Sequence, residues 1–371
     1  MDPTAPQQTT SEPAYSDQHA SSDQIRRLGE KVESAKLPDD LKRNLIERVS
    51  RLALLRSSAG FMSANYIIEY ESTSAYINWI VGIPWHRMSE DILDLKKAKE
   101  ILDKNHYGLD SIKTRILEYL SEIILNVKNK RTENLLHAPI LCLVGLAGTG
   151  KTTLASSMAE ALGKKFERIP FGGMGDSSAL RGQSKALPDA EPGLVIKKLF
   201  HAKTKNPVML LDELDRTTDQ ARSDIMGVLV ELLDPEQNFA FTDHYIDYPF
   251  NLTNILFVAT ANNTSNLSTA VLDRLEIIQM PSYSDDEKIM IAKKYLFGKI
   301  RQQTGLDESQ LTIDDNLWPS VIRPLGFDAG IRSLERTIEG ICRKTARLIV
   351  EGKAQTVHVD SQNMKEFIPA Y

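Results

Sequence analysis

One short run of residues limits what this chain can fold into. Gly145-Leu146-Ala147-Gly148-Thr149-Gly150-Lys151-Thr152 fits the pattern G-x-x-x-x-G-K-[ST] without a mismatch. The pattern has meaning only between a buried strand and a helix, and both flanks are legible. Ile140-Leu141-Cys142-Leu143-Val144 is an uninterrupted apolar segment of strand length. Residues 153–162 read as a helix, with Gly163 in the stop position. Glycines let backbone N–H groups close on phosphate oxygens. The start of the helix adds a dipole that favours an anion. Gly145 through Thr153 are therefore expected to cradle nucleotide phosphates. Lys151 reaches the β- and γ-phosphates, and the Thr152 hydroxyl ligates Mg²⁺.

Further strands follow at intervals set by helices. Phe166-Glu167-Arg168-Ile169 is short. Pro207-Val208-Met209-Leu210-Leu211 is apolar and ends on Asp212-Glu213. Residues 254–260 form a third buried strand that ends at Ala261-Asn262, and 276–280 form the last. Residues 194–203 and 219–233 read as helices between them. Such alternation predicts an α/β fold, a parallel sheet covered by helices on both faces. Ligands of such sheets sit at the carboxyl ends of the strands. There Asp212 can hold the Mg²⁺ shell, while Glu213 orients and deprotonates an attacking water. Asn262 either hydrogen-bonds that water or the γ-phosphate, or simply caps its strand.

Both flanks of this core read as helical. Residues 1–22 are rich in Ser, Thr, Gln, Pro and Ala and are expected to be a disordered tail. Residues 23–104 are expected to form a small helical bundle. Its aromatics, among them Tyr76 and Trp79, either pack that bundle onto the next domain or offer a partner surface. A charged helix at 94–102 is expected to turn Leu95 and Ile101 inward. The nucleotide-binding domain is placed at 105–282 and a helical lid at 283–371. Within the lid, 285–296 and a segment from 312 read as helices, a long helix opens at 329–336, and 357–359 is a strand-like scrap.

Composition excludes several classes. With 42% hydrophobic and 26% charged residues the chain suits a globular fold. A net charge of −5 gives no general pull toward nucleic acid or anionic membrane, and no basic, aromatic-interleaved stripe is present. No apolar run reaches membrane-spanning length and no secretory leader is evident, so a cytoplasmic location without membrane contact is expected. Cys142 and Cys342, the two cysteines, suggest neither a disulfide framework nor a zinc site.

Taken in order, the phosphate loop, Asp212-Glu213, Asn262, Arg274 and Arg332 resemble an AAA+ ATPase. More narrowly, the chain resembles the ATPase portion of the Lon protease family. Tyr76-Ile77-Asn78-Trp79, Pro84-Trp85, His106-Tyr107-Gly108-Leu109, 232–238, Asp243-His244-Tyr245 and Ala329-Gly330-Ile331-Arg332 carry this resemblance. It implies ATP and Mg²⁺ as cofactors and a homo-oligomeric, hexameric ring. Asn262 would be the sensor-one residue and Arg274 the arginine finger reaching a neighbour's nucleotide. Arg332 would be the sensor-two residue, and His106, Tyr107 and Gly108 would lie by the adenine. The implied work is ATP-driven unfolding or remodelling of a protein substrate. Because the family's Ser–Lys dyad is not found, peptide cleavage is expected only from a separate peptidase. Where the family grips substrate with an aromatic, an aliphatic and a glycine, this chain has Leu187, Pro188 and Asp189. That departure favours an alternative, an ATP-gated regulatory or assembly module without translocation. A portion of a longer protease is the third expectation.

Overall fold

The computed structural model describes residues 14–59, 63–129, 139–323 and 330–368. These fall into two compact units. The first joins the described residues up to 88 to 181–205 and 242–250, and the second holds the other described residues.

In the second unit, β1 (Ile140–Val144), β2 (Phe166–Pro170), β3 (Val208–Asp212), β4 (Leu256–Ala261) and β5 (Leu275–Gln279) form one sheet. Its order is β2-β3-β4-β1-β5, and every pairing is parallel. The continuous apolar runs suit such a sheet, since strands covered on both faces have no polar side. All five residues of β3 are buried. Register aligns the functional ends: Val144 pairs with Ala261 and with Gln279, and Leu211 pairs with Ala259. The turn after β1, the acids after β3 and Asn262 after β4 thus lie along one edge.

Helix Lys151–Ala161 follows the phosphate loop and buries Leu154, Ala155 and Met158. Helix Leu95–Asn105 begins where Asp94 accepts the amides of Lys96 and Lys97. It buries Ala98 and Leu102 in the same core and packs the half-buried Ile101 against it, whereas Leu95 is exposed and the expectation for it is corrected. Positions 98, 101 and 102 are three or four residues apart and share a face, while Leu95 stands in the first turn at the helix end. Cys142 and Cys342 are both free and buried, and burial pushes their thiols up to about 12 and about 11.

The lid region continues this unit. Helix Asp285–Ile291 opens with a capping box of Ser284 and Glu287, and helical winding then runs to Gln303. Leu311–Ile313 is a strand, β6, paired in parallel with β7 (Val357–Val359). The helical segment expected over 312–317 is therefore corrected at its start: alternating Leu311 and Ile313 meet a partner strand far along the chain, and winding begins at Asp315–Leu317 and continues through Trp318–Ile322. Helix Arg332–Val350 buries Leu334, Ile338, Ile341 and Cys342. Position 329, where that helix was expected to open, lies outside the described residues.

In the first unit, helices Ala14–Ser34, Asp39–Ala59 and Ala64–Gly82 bury Leu28, Val32, Leu45, Leu52 and Ile77. The first of them starts inside the stretch expected to be disordered; residues 1–13 lie outside the described residues. From Ala14 onward no proline or glycine interrupts the chain until Gly29, so a helix can form there. Tyr76 donates to Ile246 O at 2.7 Å, and Trp79 meets Phe200 edge-on at 4.8 Å between ring centroids. Asp243, wholly buried, accepts the amides of Gly193, Tyr245 and Ile246. The aromatics of the helical region are packing residues, and they recruit 181–205 and 242–250 to this unit.

Candidate nucleotide site

The loop that follows β1 turns its carbonyls toward protein donors. Lys151 Nζ donates to Gly145 O at 2.5 Å and to Leu146 O at 3.0 Å. Thr149 Oγ1 also donates to Leu146 O, and Thr153 Oγ1 donates to Gly150 O. Tyr283 OH donates to Thr149 O at 3.1 Å, and Ile331 N donates to Gly148 O at 3.1 Å. Ala147 and Gly148 form a tight turn, and the amides of Leu146, Ala147, Gly148 and Gly150 have no acceptor among the described residues. A loop with satisfied carbonyls and unsatisfied N–H groups at a helix start is built to receive an anion.

Two acids close the site from β3. Asp212 is 3% exposed. Its Oδ2 lies 2.6 Å from Arg168 Nε, and its Oδ1 lies 3.5 Å from Thr152 Oγ1 and accepts from Thr260 Oγ1. Glu213 stands just past the strand with φ 61 and ψ 50, in the left-handed region. Its carboxylate pairs with Arg216 at 3.4 Å. Among the described residues no group of three or more His, Cys, Asp and Glu could hold a metal. Thr152 and Asp212 nonetheless suit Mg²⁺, which takes one or two protein oxygens and fills its shell with water and phosphate.

From β4, Asn262 fixes its backbone by donating N–H to Asp215 Oδ1 at 2.9 Å. Its Oδ1 accepts from Lys151 at 3.2 Å, while its Nδ2 is buried with no hydrogen-bond partner. A buried orphan donor is costly unless something accepts from it. Burial holds the Lys151 ammonium below the usual lysine range, opposed by Asp215 and Asp212.

Arg332 approaches from the lid helix. A Cβ placed on Gly148 would stand 3.3 Å from Arg332 Cγ and 3.2 Å from Ile331 N. Arg274 is elsewhere: its Nη2 lies 2.6 Å from Asp234 Oδ2 and its Nη1 donates to Ala270 O at 2.7 Å. His106, 7% exposed, shares a 2.9 Å hydrogen bond between Nε2 and Ser157 Oγ on the loop's own helix. Burial, aided by the neighbouring Lys113, pushes the His106 imidazole down to about 4. Tyr107 lies under Lys294 Nζ at 5.5 Å, and Gly108 has φ 61.

These contacts join Lys151 to Asn262 and Thr152 to Asp212, and Lys151 and Thr152 are adjacent in the chain. Arg168, Asp215, Thr260 and Tyr283 join them without having been singled out in the sequence. Thr260 alone left a trace there, as a hydroxyl inside an apolar strand. Arg168, Asp215 and Tyr283 act through partners distant in the chain.

Comparison with known proteins agrees with this geometry. Residues 141–283 match the ATPase family associated with various cellular activities (AAA). Residues 302–357 match the Lon protease AAA+ ATPase lid domain. The chain is 40% identical over 346 residues to a Lon protease of Lawsonia intracellularis, covering 93% of this chain and 40% of that protein. A Lon protease of Desulforamulus reducens is 41% identical over 342 residues, 92% of this chain and 40% of its own. Lon protease 1 of Bacillus subtilis is 40% identical over 352 residues, 95% of this chain and 44% of its own. The chain thus spans 40–44% of the length of these curated relatives.

Proposed function

We propose that this chain, which carries the AAA ATPase and lid domains of the Lon family, binds ATP with Mg²⁺ at the 145–153 loop and hydrolyses it. The observation that carries the reading is the convergence on Lys151 of the Gly145 and Leu146 carbonyls and of Asn262 Oδ1, with Asp215 and Asp212 favouring its charge. In this reading the free amides of the loop take the phosphate oxygens. Lys151 exchanges its carbonyl partners for the β- and γ-phosphates, and the orphan Nδ2 of Asn262 donates to the γ-phosphate or the attacking water. Thr152 and Asp212 would hold Mg²⁺, which when bound screens the phosphate charge. Glu213 takes the proton of the water. Arg332 adds positive charge beside the loop from the lid, and His106, Tyr107 and Gly108 flank the base.

Coupled to a protein substrate, this cycle would drive unfolding or remodelling in a homo-oligomeric ring, with cleavage left to a peptidase. Leu187 is 56% exposed at the tip of a loop closed by Gln183 N donating to Glu191 O. That exposure supports a gripping residue. Pro188 and Asp189, standing where the family has an aliphatic residue and a glycine, support the second reading, a regulatory module that hydrolyses slowly and threads nothing.

Lys151→Ala is expected to lose nucleotide binding. Glu213→Gln is expected to bind ATP while hydrolysis falls by about two to four orders of magnitude. Fluorescent-nucleotide titration and phosphate release measure the two separately. Normal turnover in Glu213→Gln would sink the assignment.

A further inference from the structure

Thr260 is a hydroxyl in the middle of a core. It is wholly buried on β4 between Ala259 and Ala261, which are equally buried. A hydroxyl in such a place costs stability unless its hydrogen bonds are made, and the Thr260 hydroxyl makes two. It donates to Asp212 Oδ1, and it accepts the Glu213 amide N–H at 2.9 Å. One side chain therefore touches both acids at the end of β3.

Each bond does something the sheet alone does not. The β3–β4 register runs from Val208 opposite Leu256 to Leu211 opposite Ala259 and no further. Beyond it the chain leaves the strand, and Glu213 takes φ 61 and ψ 50. A left-handed backbone is unfavourable for a residue with a Cβ and persists only when neighbours hold it. Thr260 Oγ1 holds its N–H, and the Glu213 carbonyl in turn accepts Arg216 N at 3.0 Å. The direction in which Glu213 leaves the strand depends on this anchor. On Asp212, Thr260 occupies Oδ1 and Arg168 occupies Oδ2, so the carboxylate plane cannot rotate freely. Threonine suits the task because its branched Cβ restricts χ1 and fixes the hydroxyl.

We infer that Thr260 is a positioning residue for hydrolysis, setting the aim of Glu213 and the carboxylate plane of Asp212 through one shared hydroxyl. The inference rests on the ATPase reading above. It differs from a packing role, because the hydroxyl and not the volume matters. Thr260→Val keeps the shape and removes both bonds, whereas Thr260→Ser keeps the hydroxyl and removes a methyl.

The test uses the full 371-residue chain with steady-state phosphate release, fluorescent ATP-analogue titration and thermal melting. Thr260→Val is expected to bind the analogue at full stoichiometry, within about threefold of wild-type affinity, while kcat falls by about two orders of magnitude. Thr260→Ser is expected to stay within about fivefold of wild-type kcat. A folded Thr260→Val with wild-type kcat overturns the inference. So does a Thr260→Ser that folds and binds but is as slow as Glu213→Gln, and this second variant decides the matter if valine does not fold. A purely structural role would lower stoichiometry and melting temperature together with rate. A wild-type chain no faster than Glu213→Gln overturns the ATPase reading itself, and this inference with it.

Discussion

At the scale of single residues, His106 offers the clearest pH signature. Its ring is buried against Ser157, and its imidazole titrates at about 4. In the unfolded chain the same ring takes a proton near pH 6.5. Between those values the unfolded state binds more protons, so this contribution is whole above pH 6.5 and is lost as pH falls toward 4. Between pH 7 and 5 the loss is about 2 kcal/mol. Urea unfolding of wild type and His106→Gln at both pH values isolates it, because the other carboxylates and histidines are common to both. Wild type is expected to lose that much more than the variant, and equal losses would remove His106 as the source. The loop's residues were legible in sequence because their roles depend on neighbours in the chain. The partners of Asp212 were not. Arg168 and Thr260 meet it only once β2, β3 and β4 are side by side, and no local pattern encodes that.

Among elements, the least legible join is that between the lid and the phosphate loop. A parallel sheet could be expected from alternation, but the seating of Gly330 could not. A Cβ on Gly330 would fall 2.4 Å from Ala147 O and 2.8 Å from Gly148 Cα, both backbone atoms that cannot swing aside. Glycine is required there by close approach, and the adjacent Ile331 N–H uses that approach to reach Gly148 O. Gly330→Ala is therefore expected to push the start of the lid helix off the loop. Overpacking of this kind costs about 1–3 kcal/mol. Because the displaced segment includes Arg332, nucleotide affinity should fall about tenfold or more, while the lid core of Leu334, Ile338 and Ile341 stays intact. Isothermal titration with an ATP analogue measures the first, and far-UV circular dichroism the second. Unchanged affinity would mean that the lid contact is not part of the site. Similar reasons hid β6, since a three-residue strand has no periodicity to show until β7 lies beside it.

At the scale of the whole molecule the open question is whether one chain suffices for hydrolysis. Within the second unit Arg274 is held by Asp234 and by the carbonyl of Ala270, and among the described residues it is not hydrogen-bonded or ion-paired to Lys151, Asp212 or Glu213. Its side chain is 29% exposed and its guanidinium is fixed on both sides. An arginine fixed in this way by Asp234, yet apart from Asp212 and Glu213 of its own site, suits action on a neighbour. We propose that it completes the site of the next subunit in a homo-oligomeric ring. A finger supplied from outside is worth about 10³–10⁵ in rate where it acts. Specific ATPase activity should then climb with protein concentration and level off once rings are complete. Arg274→Ala should bind nucleotide as wild type does and yet stay at the low-concentration rate throughout. Mixing it with Glu213→Gln discriminates further, because each variant retains what the other lacks. A ring containing both places an intact Arg274 from the Glu213→Gln chain beside an intact Glu213, so the mixture should hydrolyse faster than either alone. Activity that is flat with concentration in wild type, and unaltered by mixing, would point instead to self-contained sites and to the slower regulatory module.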